Sequence, residues 1–190
     1  MKAILIHGAG ATNLSWVSVL HKVPHPFITT SYNVHDSFEK ILKDVEHYLP
    51  TSDEKYVVIG HSFGGIVAYH LAQKRKDIIA GMSIATPWGG SSIAQLSSFF
   101  WKSQFCKNIG RYEQHMKTTR SNSINIPWLN IVTDGGLFGS ESDGVVTVAS
   151  QKEIAPSSKV EMIKLHNSHN EVLHCDQLIK ETNRWLMNFS

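Results

Sequence analysis

The segment Tyr56-Val57-Val58-Ile59-Gly60-His61-Ser62-Phe63-Gly64-Gly65-Ile66-Val67 constrains this chain more than any other. Residues 56–59 form a short apolar, β-branched run that reads as a buried strand. Gly60-His61-Ser62-Phe63-Gly64 follows with no linker, and a helical pattern starts at once, with Ile66, Val67 and Leu71 as its buried positions. A strand that passes straight into a helix at Gly-x-Ser-x-Gly turns so sharply that the serine backbone is strained. The two glycines remove side chains that would clash. Ser62 then stands clear of the sheet at a helix N-terminus, where aligned N–H groups favour developing negative charge. The motif is short enough to occur by chance, so its context carries the argument. The competing reading is a plain glycine-rich turn in an α/β protein, and partners elsewhere in the chain decide between the two.

The rest of the chain keeps the same alternation. Residues 2–6 read as a short buried strand that ends in the small-residue loop His7-Gly8-Ala9-Gly10-Ala11-Thr12-Asn13. Leu14, Trp16, Val17 and Leu20 predict a short helix capped by Thr12 or Asn13. Residues 27–32 can form a second strand. Asp36-Ser37-Phe38-Glu39 is a capping-box pattern, and Phe38, Ile41, Leu42, Val45 and Leu49 keep helical spacing up to Pro50. The helix after Ser62 runs over residues 63–74, and residues 78–85, 128–133 and 160–165 are further predicted strands. Ser168-His169-Asn170-Glu171 is a second capping box. It opens a terminal helix with Val172, Cys175, Leu178, Ile179, Thr182, Trp185 and Phe189 on one face.

This pattern predicts an α/β three-layer sandwich, with a mostly parallel sheet of about six strands and helices on both faces. Residues 1–190 are read as a single domain, with residues 91–126 as a small cap or insertion. In such sheets, function gathers at the carboxyl ends of the strands. His7, Ser62, Thr86, Asp134 and His166 fall at or just past predicted strand ends, and Asp143 and His169 lie in the loops beyond.

Composition narrows the functional classes. A net charge of +2 gives no case for a nucleic-acid partner, and 42% apolar with 18% charged residues excludes a disordered chain. Cys106 and Cys175 do not make a disulfide framework, and reduced thiols fit a cytoplasmic location. The apolar stretch at residues 1–6 is too short for a signal peptide and is interrupted by His7-Gly8-Ala9-Gly10. No run approaches membrane-spanning length. The expectation is therefore a cytoplasmic protein, with signal-independent export left open. Eleven histidines raise the question of a metal, but no His-Glu-x-x-His occurs and the acidic residues are not clustered with them.

With these segments in view, the chain resembles the α/β-hydrolase superfamily over nearly its whole length, in a small lipase- or esterase-like form. Three segments carry the resemblance: Leu5-Ile6-His7-Gly8-Ala9-Gly10, Gly60-His61-Ser62-Phe63-Gly64-Gly65, and Ser142-Asp143-Gly144-Val145-Val146 followed by a late histidine. Ala85-Thr86-Pro87-Trp88-Gly89-Gly90-Ser91 is also similar to a segment found after the next strand in many lipases. The chain order, serine then acid then histidine, is the family's. The resemblance implies a trimmed α/β-hydrolase fold that lacks the first two strands of the usual sheet. It also implies a serine hydrolase, free of cofactor and metal, that cleaves carboxylic esters or thioesters through an acyl-enzyme. The substrate would be a small-molecule acyl ester or a lipid. A non-catalytic ligand- or protein-binding member of the fold and an acyltransferase are the alternatives.

Ser62 is the expected nucleophile. A serine hydroxyl needs a base to take its proton, and that base needs an acid to hold its tautomer. His169, at the start of the last helix, matches the family's base, with His166 and then His174 as alternatives. Asp143-Gly144-Val145-Val146 matches the family's acid, small residue and apolar pair, while Asp134 in Asp134-Gly135-Gly136 remains the alternative. The oxyanion hole is expected from the backbone N–H groups of Phe63 and Ala9, with Gly8 or Gly10 as substitutes for Ala9. His7 either shapes that loop or merely ends the strand. His7 and Trp88 are the expected pocket residues. Residues 91–126 interleave aromatic and basic side chains, which fits either a solvated basic face or a peripheral membrane contact.

Overall fold

A computed structural model describes residues 1–49, 53–90, 104–111, 113–136 and 141–190. Its six strands are β1 (Lys2–Ile6), β2 (Phe27–Thr29), β3 (Tyr56–His61), β4 (Ile78–Ile84), β5 (Trp128–Thr133) and β6 (Val160–Leu165). They form one sheet in the order β2-β1-β3-β4-β5-β6, with every neighbouring pair parallel. The helices are α1 (Val17–Lys22), α2 (Phe38–Glu46), α3 (Phe63–Lys74), α4 (Gln104–Asn108), α5 (Gln114–Ser121), α6 (Val148–Lys152) and α7 (Asp176–Met187).

Side chains alternate across the sheet and divide the core in two. Ile4 and Ile6 of β1 and Tyr56 and Val58 of β3 pack with Phe38, Ile41 and Val45 of α2 and with Phe63, Ile66 and Val67 of α3. Ala3, Leu5, Val57 and Ile59 point the other way, to Trp16 and Val19 and to Leu178 and Trp185 of α7. With both faces covered, the strands read as unbroken apolar runs, as the sequence indicates. Burying one Val, Ile or Leu contributes about 1.5–3 kcal/mol. That exceeds the spread of about 1 kcal/mol in strand propensity, so burial fixes the register. Helix α3 is buried from Phe63 to Leu71 apart from His70, which makes it the central helix of its layer. Helix α2 is amphipathic and is capped by Ser37, whose side chain accepts the Lys40 N–H.

Four details depart from the sequence expectation. Strand β2 stops at Thr29, and the Thr30 hydroxyl and N–H both turn to the Leu5 carbonyl. Thr12 caps a 3₁₀ turn, Asn13–Trp16, ahead of α1. The tighter turn shifts the phase, so Trp16 and Val19 are buried while Leu14, Val17 and Leu20 face solvent. Before the last helix, the Ser168 hydroxyl bonds the Glu171 carboxylate, but a 3₁₀ turn, Glu171–His174, intervenes. Helix α7 then starts at Asp176 behind Cys175, whose sulfur accepts the Leu178 N–H.

In the expected cap, Phe105 of α4, Ile109 just after it and Met116 of α5 pack into the α2–α3 core, while residues 91–103 and 112 lie outside the described residues. No described helix is long and apolar enough to cross a membrane. The two sheet edges differ. β2 has three residues, whereas β6 has six and exposes Glu161, Met162 and Lys164.

Candidate active site

Ser62 sits between β3 and α3 with φ 53° and ψ −126°, a left-handed conformation that side-chain-bearing residues rarely adopt. The turn closes because both motif glycines lack a side chain. A Cβ on Gly60 would lie 2.3 Å from the Gly64 carbonyl oxygen, and one on Gly64 would lie 2.3 Å from that of Ile6. The Ser62 N–H donates to the Ile84 carbonyl at 2.8 Å, which ties the turn to β4. Phe63 is the first residue of α3, so its N–H has no acceptor within the helix.

The loop after β1 lies directly against this turn. A Cβ on Gly8 would come within 3.0 Å of the Ser62 Cβ. Ala9 follows, half-buried, and the Ala11 N–H returns to the Gly8 carbonyl. His7 is buried and its ring stacks on Tyr32 with centroids 4.4 Å apart. A carbonyl only accepts, so His7 Nδ1 carries the proton it donates to the Gly8 carbonyl at 2.8 Å. The Tyr32 hydroxyl donates to the His7 carbonyl at 2.6 Å. Burial pushes the His7 pKa down, which favours the neutral ring. His7 thus braces the loop from within.

The turn at Asp143 explains the sequence pattern at 143–146. Asp143 Oδ1 accepts the N–H groups of Val145 at 2.9 Å and Val146 at 2.7 Å, and Gly144 makes the turn with φ 94°. Asp143 Oδ2 accepts from His169 Nδ1 at 2.8 Å and from the Thr133 hydroxyl at 2.7 Å. The His169 backbone N–H also donates to the Asp143 carbonyl at 3.0 Å. Burial pushes the Asp143 carboxyl up, but the His169 hydrogen bond and charge, with the Val146 N–H and Thr133 hydroxyl, outweigh it and leave the pKa below its ordinary value. With Nδ1 donating to the carboxylate, Nε2 is the nitrogen that carries the lone pair in the uncharged tautomer.

His169 is placed by a residue that the sequence did not single out. His61, the last residue of β3 and next to Ser62, directs its Nε2 to the His169 carbonyl at 2.9 Å. The two rings lie 4.8 Å apart. Burial first, and the charge of His169 second, push the His61 pKa down to about 3, so the ring is neutral and Nε2 carries the donated proton. His169 is therefore held at its Nδ1, its backbone N–H and its carbonyl.

The alternatives stand elsewhere. Asp134 bonds Lys164 and also His166 Nδ1 at 2.9 Å, but the His166 side chain is 82% exposed. His174 ends the 3₁₀ turn and contacts Ser18 at 2.8 Å, away from both acids. Trp88, expected in a pocket, instead lies in the core with no exposed surface. Its ring meets Tyr69 and Trp128 edge-on, and its N–H donates to Asn130 Oδ1 at 3.1 Å. Its aromatic neighbours and a buried hydrogen-bond acceptor account for that placement. Thr133 and Gln151, which hold Asp143 from behind, were also missed. The one signal available was a polar residue ending the apolar run at 128–133, since a buried polar group requires a partner.

Among the described residues, no group of three or more His, Cys, Asp or Glu side chains could hold a metal ion. Comparison with curated proteins gives no match. Solved structures similar over nearly the whole chain include an extracellular alpha/beta-hydrolase from a Paenibacillus species, at 16% identity and TM-score 0.67, covering 99% of this chain and 98% of that one. A monoacylglycerol lipase from Paleococcus ferrophilus has 13% identity and TM-score 0.67, with 99% and 93% covered. The Vlm2 thioesterase domain has 16% identity and TM-score 0.62, with 98% and 91% covered. At these identities the likeness is one of fold. The model of the alpha/beta hydrolase family matches residues 3–151, a span that holds β1, the Ser62 turn and Asp143 and stops short of His169. That match takes in most of the chain, and the protein belongs to the alpha/beta hydrolase family.

Proposed function

We propose that this protein is a serine hydrolase that cleaves carboxylic esters or thioesters through an acyl-enzyme. The observation that carries the reading is the buried Asp143–His169 pair, bonded at 2.8 Å, with His169 packed against the residue that precedes a left-handed serine. Ser62 Oγ attacks the substrate carbonyl while His169 Nε2 takes its proton. The oxyanion that forms is met by the backbone N–H groups of Phe63 and Ala9, each worth about 10² to 10³ in rate. His169 then gives the proton to the leaving alcohol or thiol. Water attacks the acyl-enzyme by the same route in reverse and releases the acid. Asp143 stays ionised throughout and stabilises the imidazolium.

The lipase and thioesterase domain among the similar structures support an acyl ester or thioester as the substrate class. In this reading the chain works as one domain, and α4 and α5 form the described part of its cap. Labelling with a fluorophosphonate probe tests the proposal. Wild type is expected to label covalently and Ser62→Ala not at all, after which a panel of esters graded by chain length sets the specificity. Folded wild type that does not label would overturn the enzyme reading and favour a binding protein on this fold.

A further inference from the structure

We propose that Gln151 is a positioning residue for the Asp143–His169 pair. The inference rests on the hydrolase reading above and extends it to a side chain that touches neither substrate nor serine. Gln151 lies on α6 with no exposed surface. Its Oε1 accepts the Thr133 N–H at 2.8 Å, and its Nε2 donates to the Thr133 carbonyl at 2.9 Å. The amide thus pairs with the end of β5 as a neighbouring strand would. The same Nε2 reaches Asp143 Oδ2 at 3.3 Å and the Val146 carbonyl at 3.2 Å. One side chain therefore fastens the acid loop to the sheet.

This arrangement answers a need set by the sequence. In that reading the acid is not Asp134, at the strand end, but Asp143, which meets the end of β5 at the Thr133 hydroxyl. An acid on a loop orients an imidazole only if the loop is fixed, and placement errors near 1 Å cost about a hundredfold in rate. Gln151 is itself held rigidly. Its carbonyl accepts from Asn130 Nδ2 at 3.0 Å, and Asn130 Oδ1 accepts from Ser83 and Trp88. The Ser83 hydroxyl in turn accepts the Trp128 N–H at 3.0 Å. Each side chain in this buried chain of hydrogen bonds has a partner, which is the condition under which a polar network makes a core rigid.

The test reads the Asp143–His169 hydrogen bond directly. In the wild type, the proton between Nδ1 and the carboxylate should give a far-downfield NMR resonance, and the Gln151 side-chain amide protons should shift along the His169 titration. Amide protons that do not respond to that titration would overturn the proposal without any variant. In Gln151→Leu, and in the similarly shaped Gln151→Glu, the downfield resonance should move or vanish. In both, kcat on an ester should fall about tenfold with KM within about twofold. Ser83→Ala, which breaks the same network farther away, should lower stability and leave the resonance in place. Folded Gln151 variants with unchanged resonance and kcat would reduce Gln151 to a packing residue. An unlabelled wild type with a normal downfield resonance and a responsive Gln151 amide would instead count against the hydrolase reading alone.

Discussion

Two aspartate–histidine pairs stand past the carboxyl end of the sheet with nearly equal contacts, 2.8 Å for Asp143–His169 and 2.9 Å for Asp134–His166. Both carboxylates are buried, but the histidines sit in opposite surroundings. The His169 side chain is 8% exposed and that of Asp143 is 0%, whereas His166 is 82% exposed. Asp143 is met by two backbone N–H groups and the Thr133 hydroxyl as well as by its histidine. The Asp134 carboxyl is held below the ordinary range by Lys164 first, with His166 adding to it, and both partners extend into solvent. In water a hydrogen bond to an exposed imidazole competes with solvent and is screened by salt, while the same bond in a dry site persists and directs the ring. The contact distance does not distinguish the two pairs, but the desolvation of the imidazole does.

The sharpest way to break this comparison is at the bases. His169→Ala should lower kcat on an ester by about 10⁴-fold or more, while His166→Ala should stay within about twofold. The opposite ranking would move the active pair to the exposed side. The acids come next. Asp143→Asn should cost about 10⁴ in kcat, because an amide no longer selects the tautomer, and Asp134→Asn should leave kcat nearly unchanged. Equal losses in the two would mean that neither acid orients a base alone.

Acid unfolding extends the contrast to stability. The depressed Asp143 carboxyl contributes stability that is present above the ordinary carboxylate pKa and lost as pH falls through its folded value. Burial pushes His61 down to about 3 and His70 to about 4, from an ordinary 6.5. Below pH 6.5 the unfolded chain takes up protons at these two sites before the folded one does. Stability should therefore fall toward pH 4 by up to about 1.4 kcal/mol per pH unit for each ring. Urea melts of wild type and His61→Asn between pH 7 and pH 4 measure this. An equal slope in the two would show that His61 is not the buried neutral group described. The smallest effect belongs to the exposed pair, where Lys164→Ala should change stability by less than about 1 kcal/mol. A larger loss would mean that the Asp134 cluster is structurally important.

Much of this was legible in the chain, for local reasons. Residues 63–74 were read as the helix that forms, because Ser62 fixes its start and the apolar positions Ile66, Val67 and Leu71 all fall in the core. Strands β5 and β6 match their predicted bounds because each is a compact run between polar loops. The Asp143 turn was legible in kind, since Gly144 supplies the φ that the returning N–H groups require. What failed depended on contacts between distant segments. Trp88 reads as a pocket residue until β5 supplies Asn130 and Trp128 around it. Leu14, Trp16, Val17 and Leu20 read as one short helix, but residues 13–16 form a 3₁₀ turn instead, and Leu14, Val17 and Leu20 are exposed. His61 sits in the marked motif without a mark of its own role, and Gln151 carries none at all. His61 is defined by its bond to His169, far away in sequence, and Gln151 by the fold of the turn that brings it back against Thr133 and Asp143.

The unequal edges of the sheet bear on how the protein coexists with copies of itself. Strands as apolar as β1 and β3 are templates for aggregation when an open edge leads to them. Here one edge is a three-residue strand, too short to recruit another chain in register. The other exposes Glu161 and Lys164 on β6, with Arg184 reaching across from α7 to Glu161. An incoming strand would have to bury or displace those charges. Each described edge thus carries its own obstacle to strand addition, brevity on β2 and charge on β6.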